Sequence, residues 1–303
     1  MARRTVGWMH FTRRALALTL AFVFATPAQF KPGETVAQHR QTRAEFLRGE
    51  LSPLALIHRE YLASKPRWVI GSSASADIKL GGAEVAAEHA VIEVAQNSAT
   101  VQFRVGAAPQ QDLRAHPRFR IGSYVLNFRP GGLAQGAALD VYDLHAAARV
   151  KFSALDYFPE SADFRVAAQL TPMPTPQKIN LVDSAGFHRP YWIYGHLVFR
   201  VKGSDVRMEV YTATLDWKEI ERDGFMLIFA DQTSGKETYS AGRYLYIAGM
   251  KSGAVEIDFN KAYNPPCAFS AVFTCPFPRK ENRVRVAIRA GERTYRGLTT
   301  KPI

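Results

Sequence analysis

The feature that most constrains this chain is a change of hydrophobic period near residue 67. From there to the C-terminus, short runs rich in Val, Ile, Phe and Tyr alternate with polar residues, as in "HAVIEVA", "ATVQFRV" and "RYLYIAG". Gly, Ser, Asn and Pro separate the runs, a pattern typical of β-sandwiches and barrels. The sequence therefore predicts an all-β protein, with a β-sandwich or barrel over residues 67–150 and a second antiparallel β-domain over residues 151–303.

The segment before this change has a different spacing. Residues 38–63, "QHRQTRAEFLRGELSPLALIHREYLA", carry apolar side chains at helical spacing, interrupted by Pro53. We expect one or two short helices here, within a helical lead-in over residues 29–66. Further along, prolines at 172, 174 and 176 indicate either a domain junction or an extended crossing between sheets, and we favour the crossing.

The N-terminus has the layout of a secretory signal peptide. Four arginines, at positions 3, 4, 13 and 14, precede an apolar run from Ala15 to Ala25 and then small residues. The run is shorter than the ~20 residues that span a bilayer, so we expect no transmembrane segment in the mature chain. Cleavage after Ala28 is favoured, with Ala25 as the alternative. The mature protein would then be periplasmic or secreted.

Removal of the signal peptide lowers the formal net charge from +12 to +8, because residues 1–28 carry four arginines and no acidic residue. A positive excess favours acidic partners such as anionic lipid headgroups, acidic glycans or nucleic acid. The basic residues are scattered, as in "RKENRVRVAIRAGER", and no recognition motif is present, so nucleic-acid binding is not expected. We predict a small molecule or an envelope component as the partner.

Cys267 and Cys275 are the two cysteines of the chain. In an exported protein this pair predicts one disulfide, which would close a small loop. A zinc site would need two further ligands at characteristic spacing, and no histidine follows His196. We therefore expect a disulfide and no metal site.

The stretch "WVIGSSASADIKLGGAEVAAEHAVIEV" carries a recognisable framework of Gly71, Asp77, Ile78, Leu80 and His89. It resembles the opening of a forkhead-associated domain, a β-sandwich that binds phosphothreonine. Ser72 stands where that family has arginine, and Ala86 and Ala87 where it has Ser-Arg. Alanine supplies no charge-assisted donor for phosphate, so phosphopeptide binding is not expected. His89 is then interpreted as a turn-supporting residue.

Four motifs follow one another between Phe229 and Glu292: "FADQTSGKETYSAGR", "DFNKAYNPPC", "CPFPRKEN" and "AGE". Together they resemble the DUF1684 family of uncharacterised, mostly bacterial proteins. The resemblance is strong over these motifs and weak before residue 150. It implies no reaction, because the family carries no established activity.

Two carboxylates in these motifs are the candidate catalytic groups, Asp231 and Asp258. Asp231 either supports a tight turn or acts as a general acid or base with Arg243 as its charge partner. Asp258 and Asn260 share one face of a regular strand, and form either a polar corner that satisfies loop backbone groups or the floor of a pocket. The candidate ligand-binding residues are Asp231, Thr233, Tyr239, Arg243, Asp258, Asn260, Tyr263 and Asn264.

Known catalytic templates are absent from the sequence. There is no G-x-S-x-G elbow, H-E-x-x-H motif, P-loop or dinucleotide fingerprint, so no cofactor is expected. We predict an exported protein that binds a small molecule, glycan or envelope partner. The alternatives are a metal-independent hydrolase with Asp231 or Asp258 as base, and a structural envelope protein.

Overall fold

The computed structural model describes residues 33–95, 101–131 and 136–299, so the predicted signal peptide lies outside the described residues. Strands dominate this part of the chain, which confirms the all-β prediction. The helices are α1 (Val36–Arg48), α2 (Ala147–Val150) and α3 (Trp217–Asp223). The strands are β1 (Leu56–Tyr61), β2 (Arg67–Gly71), β3 (Ile78–Lys79), β4 (Ala90–Val94), β5 (Val101–Val105), β6 (Gln111–Asp112), β7 (Arg118–Ile121), β8 (Tyr124–Arg129), β9 (Ala138–Asp143), β10 (Arg165–Val182), β11 (His188–Val201), β12 (Ser204–Thr212), β13 (Phe225–Phe229), β14 (Arg243–Ile247) and β15 (Gly253–Asp258).

Strands β1 to β9 form a sandwich of two sheets. One sheet has the order β1-β9-β8-β7 and the other has the order β3-β2-β4-β5-β6. In β8, Leu126 and Phe128 pack in the core between the sheets, while Val125 belongs to a cluster on the opposite face. The period-two pattern thus gives the sheet an apolar inner face, where each buried aliphatic side chain contributes roughly 2 kcal/mol.

The lead-in is one helix followed by a strand. The Thr35 side chain caps α1 by accepting from the backbone N–H of Gln38, whose side chain accepts from the N–H of Thr35. α1 ends at Arg48, and Leu56–Tyr61 is strand β1, paired antiparallel with β9. The helical prediction is therefore wrong for this segment. Pro53 interrupts the helical spacing, and β9 offers a ladder of backbone partners that outweighs the local preference.

Strands β10 to β15 form a six-stranded antiparallel sheet in the order β14-β13-β12-β11-β10-β15. The prolines at 172, 174 and 176 lie inside β10, where the register with β11 shifts between Pro172 and Gln177. Proline has no N–H to give to a ladder, so the strand is irregular there and then resumes its pairing. The proline-rich segment is therefore part of one long strand.

The two edges of this sheet meet. Tyr244 in β14 and Tyr263, which follows β15, donate backbone N–H groups to each other's carbonyl oxygens at 2.9 Å. The sheet therefore curls around an apolar core that includes Phe225, Leu227, Phe229, Ile257 and Phe259. Met226 and Ile228 pack in a separate cluster on the other face, so β13 is buried on both faces.

The two halves pack against each other through α1, β1 and the segment after β15. Ala268 and Phe269 join an apolar cluster with Leu47 of α1 and Phe152. Ser270 donates its hydroxyl to the carbonyl oxygen of Leu56 in β1 (3.3 Å). The segment after β15 thus connects the curled sheet to the sandwich.

Asn282 substitutes for ladder bonds between β12 and β13. In the described ladder these strands pair at one position, Tyr211 with Met226. Asn282 Oδ1 accepts from the N–H of Glu209 (2.8 Å), and its Nδ2 donates to the carbonyls of Glu209 (3.0 Å) and Ile228 (3.1 Å). The buried amide therefore bridges two strands where their own pairing ends.

We expect Asn282→Ala to lower the free energy of unfolding by about 3 kcal/mol, because three buried backbone groups lose their partner. Urea unfolding followed by circular dichroism measures the change. Asn180→Ala, at an exposed position of β10, is the control and should shift stability by less than about 0.5 kcal/mol. A loss below about 1 kcal/mol for Asn282→Ala would contradict the bridging role.

Candidate functional site

The carboxylate of Glu292 is the centre of a buried polar site. Its side chain is fully buried, and it accepts from Arg43 Nε (2.7 Å), Arg43 Nη2 (3.4 Å) and the backbone N–H of Asn264 (2.8 Å). Arg43 comes from α1, so this ion pair joins residues 249 positions apart in the chain. The site thus forms only when α1 packs on the segment after β15.

Gly291 is required for the position of Glu292. Its φ is +76°, and a Cβ at this residue would lie 2.3 Å from the carbonyl oxygen of Ala262. The N–H of Glu292 donates to that same carbonyl at 2.8 Å. A side chain at residue 291 would separate the two segments, which explains the glycine of the "AGE" motif in physical terms.

The Arg43 guanidinium lies among aromatic rings. Its central carbon is 4.7 Å from the centroid of Tyr263, 5.8 Å from Phe46 and 6.0 Å from Phe269. Nη2 also donates to the carbonyl oxygen of Asn264 at 3.2 Å. Burial by itself lowers the pKa of Arg43, but the charge and hydrogen bonds of Glu292 outweigh it, so the pKa is raised.

The site holds more hydrogen-bonding capacity than Arg43 uses. Several buried polar atoms there have no partner in hydrogen-bond geometry: His39 Nε2, Arg43 Nη1, Tyr157 OH, Tyr263 OH and Asn264 Oδ1. Tyr246 approaches the Tyr263 hydroxyl without meeting that geometry. Since unpaired buried polar atoms are rare in folded proteins, this concentration of them marks the site.

Arg243, a predicted site residue, lies behind this centre. It is fully buried; Nη2 donates to Asp231 Oδ2 (2.8 Å) and the Ile288 carbonyl (2.8 Å), and Nη1 donates to the carbonyls of Ala290 and Glu292. Burial lowers the pKa of Arg243, and Asp231 partly offsets this. Arg243 thus holds the backbone that carries Glu292.

Asp231 is fully engaged by its neighbours. Its Oδ1 accepts from the backbone N–H (2.7 Å) and hydroxyl (2.5 Å) of Thr233, while Oδ2 accepts from Arg243. The Thr233 hydroxyl also lies 2.8 Å from that of Thr238. This is the tight turn that the sequence indicated as one alternative, with Arg243 as the charge partner of Asp231.

Asp258 and Asn260 form a separate polar corner. Asp258 Oδ1 accepts from the backbone N–H (3.1 Å) and Nδ2 (2.9 Å) of Asn260, and Asn260 also bonds the backbone of Ser161 through both amide atoms. Arg165 and Lys261 face Asp258 Oδ2 at 3.5 and 4.0 Å. Within the described residues, no hydrogen bond or ion pair joins Asp258 to Asp231 or Arg243.

The predicted residues therefore divide into groups. Tyr263 and Asn264 contact Arg43 directly, Asp231, Thr233 and Arg243 support the Glu292 segment, and Tyr239 donates to the carbonyl of Cys267 (3.1 Å). Sequence reasoning did not single out Arg43, His39 or Tyr157. One signal was available: residues 36, 39, 43 and 47 form the buried face of α1, and an arginine on a buried helix face needs an acidic partner.

Cys267 and Cys275 lie next to each other as free thiols. The backbone N–H of Cys267 donates to Cys275 Sγ at 3.3 Å. The hydrogen bond with Cys275 lowers the pKa of Cys267 in spite of burial, and burial raises the pKa of Cys275 well above its usual value. The disulfide therefore stays a prediction.

Two surface grooves lie away from the buried polar site. One groove of about 420 Å³ is lined by residues that include Arg67 and Glu93. A second, of about 400 Å³, is lined by residues that include Leu181 and Phe277. None of the predicted site residues lines either groove. The described residues bring no three His, Cys, Asp or Glu side chains together in a way that could hold a metal ion. In the same part of the chain, no helix has the length and apolarity that a membrane crossing needs.

We expect Glu292→Gln to lower the free energy of unfolding by about 3–5 kcal/mol, because Arg43 keeps a buried charge without its partner. The double variant Arg43→Met, Glu292→Gln removes both charges and should recover part of the loss. Chemical unfolding of the native chain, the two single variants and the double variant measures the coupling energy between Arg43 and Glu292. Glu256→Gln, at an exposed position of β15, is the control. A double variant no more stable than Glu292→Gln would argue against the pair.

His39 predicts a pH dependence. Burial first, and then the charge of Arg43, lowers its pKa below 6.5, while Glu292 and Glu34 act in the opposite direction. The unfolded chain binds the proton more readily, so stability present above pH 6.5 is lost as the pH falls toward the folded-state pKa, by at most about 1.4 kcal/mol per pH unit. Unfolding of the native chain and of His39→Gln between pH 7 and 5 should give the steeper slope for the native chain; equal slopes would contradict this.

Comparison with known proteins gives a family and no activity. Residues 150–293 match the model of a family described as "Protein of unknown function (DUF1684)". No curated protein matches the chain.

Among solved structures, the chain is similar to an uncharacterised protein of Haloarcula marismortui determined by NMR in solution, with 32% sequence identity over 48% of this chain and 79% of the other and a TM-score of 0.41. The forkhead-associated relationship of the N-terminal half stays a prediction. Over residues 150–293, the chain belongs to the DUF1684 family.

Proposed function

We propose that this is an exported binding protein whose C-terminal half recognises a guanidinium group. The proposed recognition site, which we name the guanidinium cage, consists of Tyr157, Tyr263, Asn264, Phe269 and Glu292. The observation that carries the proposal is the position of Arg43: a buried guanidinium on a carboxylate, between aromatic rings. Carboxylates bind guanidinium through paired donors, and aromatic faces attract cations.

Arg43 leaves several hydrogen-bonding groups of the cage unpaired, which supports a ligand that takes its place. A guanidinium has five N–H groups, yet the nitrogen Nη1 of Arg43 has no partner. Acceptors remain free in the same place, on Asn264 Oδ1 and the two tyrosine hydroxyls. Arg43 reaches the cage from one direction, fixed by α1. A guanidinium that arrives free of the helix can satisfy more of these groups.

The division of the chain also supports the proposal. All five residues of the cage lie within residues 150–293, the segment that matches the family, whereas Arg43 lies outside it. The family segment thus contains the receptor, and the N-terminal part of this chain supplies an internal ligand. The ligand that competes with Arg43 is proposed to be a small guanidino compound or an arginine side chain of an envelope partner.

The hydrolase alternative has less support. A general base needs access to the substrate and a free lone pair. Asp231 is nine-tenths buried and engaged by Thr233 and Arg243, and Asp258 is equally buried and engaged by Asn260. A purely structural role for the cage is the stronger competitor, because a buried ion pair also fixes how two segments pack.

Chemical rescue tests whether the cage accepts a free guanidinium group. In the mature chain, Arg43→Ala removes the internal ligand, and low-millimolar ethylguanidinium should raise the melting temperature by about 5 °C. Ethylammonium, which has the charge without the planar fork, should have little effect.

The matched control is Arg189→Ala, which breaks the Arg189–Asp183 ion pair (2.8 Å) outside the cage. Ethylguanidinium should leave its melting temperature unchanged. If Arg43→Ala does not fold alone, rescue is read as the return of the β-sheet circular dichroism. Equal responses of the two variants, or no response of Arg43→Ala, would leave the cage with a structural role only.

A further inference from the structure

A second charged surface lies on the N-terminal sandwich, on the outer face of the sheet β1-β9-β8-β7. Side chains alternate between the faces of a strand, so register identifies the neighbours on this face. One row across the sheet is Arg59, Asp140, Asn127 and Arg118, and the next is Tyr61, Ala138 and Arg129. Inner-face residues such as Leu126 and Leu139 pack in the sandwich core instead. We name these two rows the arginine face.

The arginine face carries more positive than negative charge. The two rows hold three arginines and one carboxylate, that of Asp140, which is 1% exposed and lies near Arg59 and Arg129. Arg59 binds Asp140 through Nε (2.5 Å) and Nη2 (2.9 Å), whereas Arg129 lies 3.7 Å from the same carboxylate. Burial, and then repulsion from Arg59, lowers the pKa of Arg129. Arg59 and the Tyr142 hydroxyl (3.4 Å) bond the Asp140 carboxylate, and an added anion would relieve the repulsion between Arg59 and Arg129.

The exposure of the three arginine side chains decreases across the sheet from β7 to β1. The Arg118 side chain is exposed, the Arg129 side chain is 26% exposed and that of Arg59 is 6% exposed. Arg118 Nε has one long hydrogen bond, to Asn127 Oδ1 at 3.4 Å. Arg118 and Arg129 therefore present the accessible donors, and Arg59 with Asp140 forms the fixed base beneath them.

Aromatic rings border the same face. The Tyr61 ring lies 6.0 Å from that of Phe187, at the turn between β10 and β11, and Phe187 is 38% exposed. On the same side, the Arg59 guanidinium lies 5.1 Å from the ring of Phe273. The C-terminal half thus forms one wall beside the arginines. A chain-like ligand can lie along this wall.

We propose that the arginine face binds an acidic polysaccharide. Carboxylates of its uronate units pair with Arg118 and Arg129, and a sugar ring packs on Tyr61 and Phe187. Planar guanidinium groups bind carboxylates through two parallel hydrogen bonds, a geometry that lysine does not offer. The formal charge of +8 on the chain without residues 1–28 steers a polyanion toward it. This site is independent of the guanidinium cage, since the two share no residue.

The test measures binding of the mature chain to polygalacturonate by calorimetry at 50 mM salt, with neutral dextran as the control polymer. Arg118→Ala, Arg129→Ala should weaken binding at least tenfold, and Phe187→Ser should weaken it about threefold without changing the salt dependence. Arg200→Ala, Arg207→Ala removes the same charge from exposed positions of β11 and β12 and should leave affinity within about twofold.

Three outcomes would overturn the proposal. The first is no binding of polygalacturonate at 50 mM salt. The second is equal weakening by the two double variants, which would indicate attraction to net charge alone. The third is tighter binding to phosphatidylglycerol vesicles than to the polymer, which would assign the face to lipid. Arg118, Arg200 and Arg207 are exposed, whereas Arg129 is half-buried. Unfolding of both double variants, followed by circular dichroism, is therefore compared with that of the native chain to exclude loss of fold as the cause.

Discussion

The ion pair between Arg43 and Glu292 is the interaction on which the arrangement of this protein depends. Both side chains are fully buried, and removing two charges from water costs about as much as their attraction returns. The pair therefore adds little net stability, but it selects one packing of α1. A packing of the helix that left Arg43 or Glu292 buried without its partner would cost about 3–5 kcal/mol. This is how a helix near the N-terminus comes to complete a site in the C-terminal half.

Behind this pair, side chains supply hydrogen bonds that a neighbouring strand would otherwise provide. The segment that ends in Glu292 forms no regular strand in the described structure, and Arg243 donates to the carbonyls of residues 288, 290 and 292. One guanidinium thus holds all three carbonyls. Asn282 does the same between Glu209 and Ile228. Polar residues in these motifs thus replace missing backbone partners, and their presence does not require catalysis.

The sequence predicts the strands and turns whose local pattern agrees with their burial. It fails where a residue distant in the chain determines the structure. "FMLIF" is long and apolar enough to be recognised as a strand buried on both faces, and the Asp231 turn follows from the spacing of Asp, Thr and Gly. Leu56–Tyr61 reads as helix because its pairing with β9 lies some 80 residues away. For the same reason Arg43 could not be assigned, and Asp258 could not be separated from Arg243: spacing shows which residues share a turn, but not which turns meet.

The loop between the two cysteines connects the regions that we propose to bind ligands. Its Phe269 forms a wall of the guanidinium cage beside Arg43, and its Phe273 lies against Arg59 at the border of the arginine face. Ser270, between them, holds the loop to β1. Cys267 and Cys275 are at the two ends of this loop, so a bond between them would restrict both phenylalanines at once. Restriction of a short loop acts mainly by removing conformations from the unfolded and partly open states. A disulfide would therefore hold Phe269 and Phe273 in place together.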